Sequence, residues 1–211
     1  MLHRNPVTIV QLRSPSYDRP MHPDGDDGPI LDAAFELFGE VGIARTTIGD
    51  VAKRARINRV TVYRRIGSKD ELVAAVMARE ASRLVESVTS VAAEQSLPAD
   101  GIAHGFAATV ESVRTNPVLL KMFDSENPVV LEQLTVNASG LLDPAIRAAT
   151  HIARGGSPTT EFAIPDGPEI VVRVIHSILL TPSAGAELDT YEDLLAFARR
   201  SIVPILAGTE T

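Results

Sequence analysis

Residues 46–72 read TTIGDVAKRARINRVTVYRRIGSKDEL. Ile48, Val51, Ala52 and Ala55 recur at three- and four-residue spacing behind Arg45-Thr46-Thr47, which predicts a short, capped amphipathic helix. Asn58 caps a second helix in which Val62 and Ile66 face inward, with Ile57 just before it. Gly67 ends that helix. Ser68 caps the next, with Glu71 at its third helical position, the spacing of a capping box. Two short helices separated by about three residues and preceded by a longer one have the spacing of a helix-turn-helix inside a three-helix unit.

The longer helix begins at Pro29, a favoured first helical residue because it has no amide to leave unbonded. Ile30, Ala33, Ala34, Leu37, Phe38 and Val41 form its apolar stripe, and Gly42 ends it. Residues 1–27 hold four of the fourteen prolines and a DGDD run, and show no sustained periodicity. They are expected to form a disordered or loosely held arm. Downstream, Leu72, Val73, Val76, Met77, Leu84, Val85 and Val88 carry a fourth helix to about Glu94. Further helices are expected over 98–115, 117–123, 128–153, 168–180 and 190–206, with a loop over 154–168. No strand alternation and no internal repeat is present, so the predicted fold is all-α.

The chain has 211 residues and a formal charge of −7, with 45% apolar and 4% aromatic residues and no cysteine or tryptophan. Such a chain is long enough for a real core, and the mix favours aliphatic helix packing. The missing cysteines exclude disulfides and thiolate chemistry. No apolar run reaches the ~18 residues that a membrane span needs, and the N-terminus lacks a secretory h-region. The expected location is the cytoplasm. Charge is distributed unevenly. From Arg45 to Lys69 eight basic residues accompany one acid, Asp50, giving +7, so the rest of the chain sums to −14. A basic island on an acidic body predicts a local anionic partner.

The outer face of the helix after Asn58 has the side chains that a major-groove reader needs. Arg59, Thr61, Arg64 and Arg65 offer donors with reach, and the methyls of Val60 and Thr61 suit thymine. Thr46 and Thr47, at the start of the preceding helix, suit a phosphate, because helix N-termini favour anions. Lys69 sits at the start of the fourth helix, beside its free amides.

The stretch ILDAAFELFGEVGIARTTIGDVAKRARINRVTVYRRIGSKDELVAAVM resembles the DNA-binding domain of TetR-family transcriptional regulators. The A-x-x-L-F-x-x-x-G of the first helix is here Ala34, Leu37, Phe38 and Gly42. T-T-I-x-x-V-A follows in the second helix, then T-x-Y in the third and S-K-x-E-L beyond it. The resemblance implies that Tyr63 and Lys69 contact phosphate and that the third helix reads bases. Two residues depart from the pattern: Arg56 stands where the family often has glycine, and Ile66 where it often has an aromatic. Arg56 is expected to add a backbone contact. The expected DNA-contacting set is therefore Thr46, Thr47, Arg56, Asn58, Arg59, Thr61, Tyr63, Arg64 and Lys69. The division implied is an arm over 1–27, a helix-turn-helix DNA-binding domain over 28–73, and a helical ligand-binding and dimerisation domain over 74–211.

One such unit makes few base contacts, so useful affinity calls for a two-fold dimer on a palindromic operator in double-stranded DNA. The family dimerises through its last two long helices. Their apolar stripes here contain Val171, Val174, Ile175, Ile178, Leu194, Phe197, Ala198 and Ile202, although a monomer's own core also explains such stripes. The resemblance implies a small-molecule effector in the C-terminal body. Candidate lining residues are His104, Phe106, Met122, Phe123, Phe162 and His176, and the scarcity of ionisable groups there points to a mainly apolar or neutral ligand. No hydrolase, metalloprotease or phosphate-loop motif occurs, and five dispersed histidines suggest no metal site, so no enzymatic role and no cofactor is expected. The expected function is a repressor that the effector releases from its operator. The alternatives are a helical interaction or scaffold protein whose basic island is only solvated, and a corepressor-dependent regulator or activator.

Overall fold

Caps place the first four helices in the computed structural model of the chain, which describes residues 26–123, 127–155, 161–162, 164–181 and 188–206. The described residues form helices α1 (Gly28–Val41), α2 (Ile48–Ala55), α3 (Arg59–Arg65), α4 (Lys69–Ala93), α5 (Pro98–Thr115), α6 (Pro117–Phe123), α7 (Pro128–Leu134), α8 (Ser139–Arg154), α9 (Gly167–Leu180), α10 (Tyr191–Phe197) and α11 (Val203–Leu206). A π-turn over Ala198–Ile202 joins the last two, and no strand occurs among the described residues. The expected arm lies, apart from residues 26 and 27, outside the described residues.

Thr47 caps α2 in a full capping box with Asp50, and Ser68 caps α4 in another with Glu71. Gly67, between α3 and α4, has φ +100°, and a Cβ there would lie 2.1 Å from the Glu71 carboxylate. That position thus needs glycine for both its backbone and its neighbour. Ile30, Ala34, Phe38, Val51, Val62, Leu72 and Val76 close a first core around α1–α4, to which α6 and α7 add Met122, Val130 and Leu134. A second core joins α5 to α9, α10 and α11 through Ala103, Phe106, Val110, Val171, Leu194 and Ile202. Helix α4 belongs to both halves: its first turns bury Leu72, Val73 and Val76, and its later part packs on α5 and α8.

Two expected helices differ. The single helix expected over 128–153 is two, α7 and α8. At the break the Thr135 hydroxyl donates back to the Leu131 carbonyl, and Asn137 bonds both the main chain and the side chain of Glu132. Thr and Asn side chains compete in this way with the helical ladder. The helix expected over 190–206 carries the π-turn, in which the Val203 amide reaches the Ala198 carbonyl five residues back. Pro204 follows directly and has no amide to continue an α-ladder.

Candidate nucleic-acid interface and ligand cavity

Helix α3 stands out from the first core on Val62 and Ile66, both buried, and turns Arg59, Val60, Tyr63 and Arg64 to solvent. Val60 is 72% exposed and Tyr63 45%. Thr61 lies half-buried at the edge of this face. The Arg59 guanidinium stacks over the Tyr63 ring, 5.4 Å from its centroid, and donates to the phenolic oxygen at 3.3 Å. Asn58 caps α3 by accepting from the Val60 amide at 2.8 Å, so its side-chain oxygen serves the helix start.

The basic island separates into structural and open members. Arg54 ties α2 to α1 through Glu36 and Glu40, at 3.0 and 2.7 Å. The hydrogen bond from Arg54 holds the Glu40 carboxyl below its ordinary value. Arg65 pairs with Asp27 at 2.6 Å. The Lys69 ammonium donates to the Ala44 carbonyl at 2.9 Å, which fastens the turn before α2 to the start of α4. Among the described residues no ion pair engages Lys53, Arg56, Arg59 or Arg64. Those four, together with the exposed Arg45, whose Nε donates to the Val41 carbonyl at 2.7 Å, carry the cationic surface.

Thr46 corrects the expected set. It is 1% exposed, and its hydroxyl donates to the Gly42 carbonyl at 2.9 Å, so its side chain faces the core and not a phosphate. Thr47 is exposed, but its hydroxyl and amide both donate to the Asp50 carboxylate, at 2.6 and 3.0 Å. Those bonds from Thr47 hold the Asp50 carboxyl below its ordinary value, against a small opposing effect of burial. Arg56 closes α2 in the left-handed conformation, φ 56° and ψ 36°. It is the one non-glycine residue of positive φ among the described residues, which gives a physical reason for the glycine often found at this place.

Behind α4 lies a cavity of about 190 Å³ enclosed by α4, α5, α8 and α9, with α6, α7 and α11 contributing. Of the expected ligand residues, Phe106, Met122 and His176 line it. His104 does not: its Nδ1 meets the Tyr191 hydroxyl at 3.0 Å and ties α5 to α10. Burial, with Glu111 and Glu192 nearby, pushes that phenol above its ordinary value. Phe162 also lies elsewhere, packed on the second core beneath the Arg154 guanidinium. The side chain of Phe123 falls outside the described residues. Sequence reasoning did not single out Glu80, Thr109 or the alanines 145, 148 and 149, all of which line the cavity. Alanines repeating on one helix face were the available signal, because they leave room.

The expected dimer stripe also needs correction. Val171, Leu194, Ala198 and Ile202 are at most 3% exposed within the single chain and form its second core. Ile175 lines the cavity, and Phe197 stacks on Phe106 at 5.7 Å. On α9 Ile170 and Leu180 are exposed, and Val174 and Ile178, which pack partly on the second core, share one helical face with Ile170.

A capped three-helix head with an exposed, cationic second helix of its helix-turn-helix defines a DNA-binding protein of the helix-turn-helix class. Residues 30–76 match the model of the bacterial regulatory proteins of the tetR family. The HTH-type transcriptional regulator Rv1255c of Mycobacterium tuberculosis is 30% identical over 153 residues, covering 72% of this chain and 74% of the relative. The HTH-type transcriptional repressor Rv3405c of the same organism is 35% identical over 133 residues, 61% of this chain and 65% of its own. Among solved structures, RolR in complex with resorcinol aligns with TM-score 0.63 at 14% identity, covering 86% of this chain and 87% of that one. The chain belongs to the TetR family of transcriptional regulators. No described helix is long and apolar enough to cross a membrane.

Proposed function

We propose that the chain is a homodimeric, cytoplasmic repressor that a small neutral molecule releases from a palindromic operator. The head over 28–73 holds the operator and the body over 74–211 holds the ligand and the dimer contact. The single observation that carries this reading is the passage of α4 through both sites. Its N-terminal turns lie in the core that supports α3, and Met77, Glu80, Leu84 and Val88 further along it line the cavity. A molecule that fills the cavity better in one pose of α4 than in another shifts the head by its difference in affinity for the two. The repressor name of the M. tuberculosis relative and the resorcinol complex of RolR support the direction of control and the presence of an effector.

On DNA, α3 enters the major groove. Arg59 and Thr61 read bases, while Tyr63, Arg64, Arg56 and Lys69 meet phosphate. Thr47 and Asn58 frame the two helix starts, where main-chain amides face the backbone of the duplex. The dimer forms through the α9 face of Ile170, Val174 and Ile178. The test is a gel-shift titration of the purified protein on a selected operator across a range of salt concentrations. A tight component whose affinity falls steeply with salt supports the reading, and weak binding indifferent to sequence contradicts it.

A further inference from the structure

One polar side chain of the cavity wall, that of His176, has no hydrogen bond among the described residues. Of the cavity's 27 lining residues only Glu80, Thr109 and His176 carry a polar side-chain atom. Thr109 donates its hydroxyl back to the Gly105 carbonyl at 2.7 Å. The Glu80 carboxylate accepts from Arg79 at 2.9 Å and from Arg83 at 3.1 Å. Both arginines also pair with Asp32, so the four charges cancel. His176 Nε2, by contrast, is buried without a hydrogen-bond partner.

From this the geometry points to a specific ligand class: an uncharged, mainly aliphatic molecule carrying a single hydroxyl or carbonyl group, seated so that this group bonds the His176 imidazole. The inference rests on reading the cavity as the effector site. An unmet buried polar atom is costly, so a ligand that satisfies it gains over a plain hydrocarbon of the same shape. An anion gains nothing further, because no lysine or arginine lines the cavity and the one charged wall residue is itself a carboxylate. A cation finds that carboxylate already neutralised by two guanidiniums. Phe106 is the one carbocyclic aromatic side chain in the wall, so the body of the ligand meets leucine, valine, isoleucine and alanine. The volume of about 190 Å³ holds on the order of fifteen non-hydrogen atoms.

The experiment is calorimetry or native mass spectrometry of the full chain, without DNA, with decan-1-ol, decanoate and decylamine as probes. Decan-1-ol is expected to bind at least about tenfold more tightly than either charged probe. His176→Leu is expected to weaken decan-1-ol binding roughly five- to tenfold, and His176→Gln, which keeps a donor and an acceptor, to restore most of it. Decanoate or decylamine binding as tightly as decan-1-ol overturns the inference. So does a His176→Leu protein that binds decan-1-ol as well as the native chain, or a native chain that binds none of the three. A protein that takes up decan-1-ol yet stays on its operator refutes the repressor reading and leaves this one standing.

Discussion

Asp32 on α1 and Glu80 in the cavity wall are bridged by the same two guanidiniums. Arg79 pairs with Asp32 at 2.9 Å and with Glu80 at 2.9 Å, and Arg83 with each at 3.1 Å. Arg79 also donates to the Gly28 carbonyl at the start of α1. The pairs connect the cavity wall to the first helix of the head, next to the packed stem of α4. In the proposed mechanism they convert a change at Glu80 into a change at α1.

Arg83 does not line the cavity and its side chain is 51% exposed, so its removal tests coupling with little cost to folding. Arg83→Ala is expected to leave apo operator affinity within about twofold while cutting the ligand-induced loss of affinity by at least about threefold. Gel shifts with and without ligand check this, and an unchanged ratio removes the bridge from the mechanism.

Base reading and phosphate contact separate by their salt and sequence dependence. Arg59→Ala and Thr61→Ala are expected to weaken operator binding by about 1–3 kcal/mol and to relax base preference. Tyr63→Phe and Lys69→Ala are expected to weaken all sequences alike, with Lys69→Ala lowering the salt slope by about one. Lys69→Ala also removes the bond to the Ala44 carbonyl, so its thermal midpoint needs to be measured alongside.

Arg56 holds a left-handed backbone that glycine adopts at no steric cost. Arg56→Gly relieves about 1–2 kcal/mol of native-state strain, offset by about 0.5–1 kcal/mol of extra unfolded-state entropy. The expected result is a thermal midpoint equal to or up to a few degrees above the native value, with weaker operator binding. Arg56→Ala is expected to show the weaker binding without the gain, and calorimetric scans distinguish the two.

The capping box of α2 makes head stability pH-dependent. Thr47→Ala removes the cap and is expected to cost about 1 kcal/mol, or ~2–4 °C for a chain of this size. Asp50 has its carboxyl lowered from 3.8 in the folded chain. A lowered carboxyl stabilises fully above its unfolded value, and that contribution is lost as pH falls through the folded value. Asp50→Asn is therefore expected to melt below the native chain near neutral pH, with the gap closing as the pH falls below about 4. A gap that widens in acid contradicts the box.

The head was legible because its signals are local. Pro29, Asn58, Gly67 and the Ser68–Glu71 pair each act within a single turn, and each marks a boundary that the structure contains. Thr46 was misplaced because two adjacent threonines look alike until Asp50 selects the one three residues before it. The break between α7 and α8 is marked in the sequence only by Asn137, Ser139 and Gly140, and depends on which partner the Thr135 and Asn137 side chains find. Val171, Leu194, Ala198 and Ile202 show the deeper limit: an apolar stripe is the same in sequence whether its own chain or a second copy covers it. A cavity is harder still, since it is bounded by the residues that would otherwise fill a core. His176 was legible as a polar residue on an apolar helix, but its unmet Nε2 became visible only in three dimensions.

The most direct test of the account is selection of binding sites from a random duplex pool by the purified chain, repeated with Arg59→Ala. The account predicts that the native protein enriches a two-fold symmetric sequence with half-sites about one helical turn, or a multiple of it, apart. Arg59→Ala is predicted to lose preference at one position in each half-site. Retention of DNA with no enriched sequence, or an identical motif from the variant, would contradict the assignment of α3 as the reading helix.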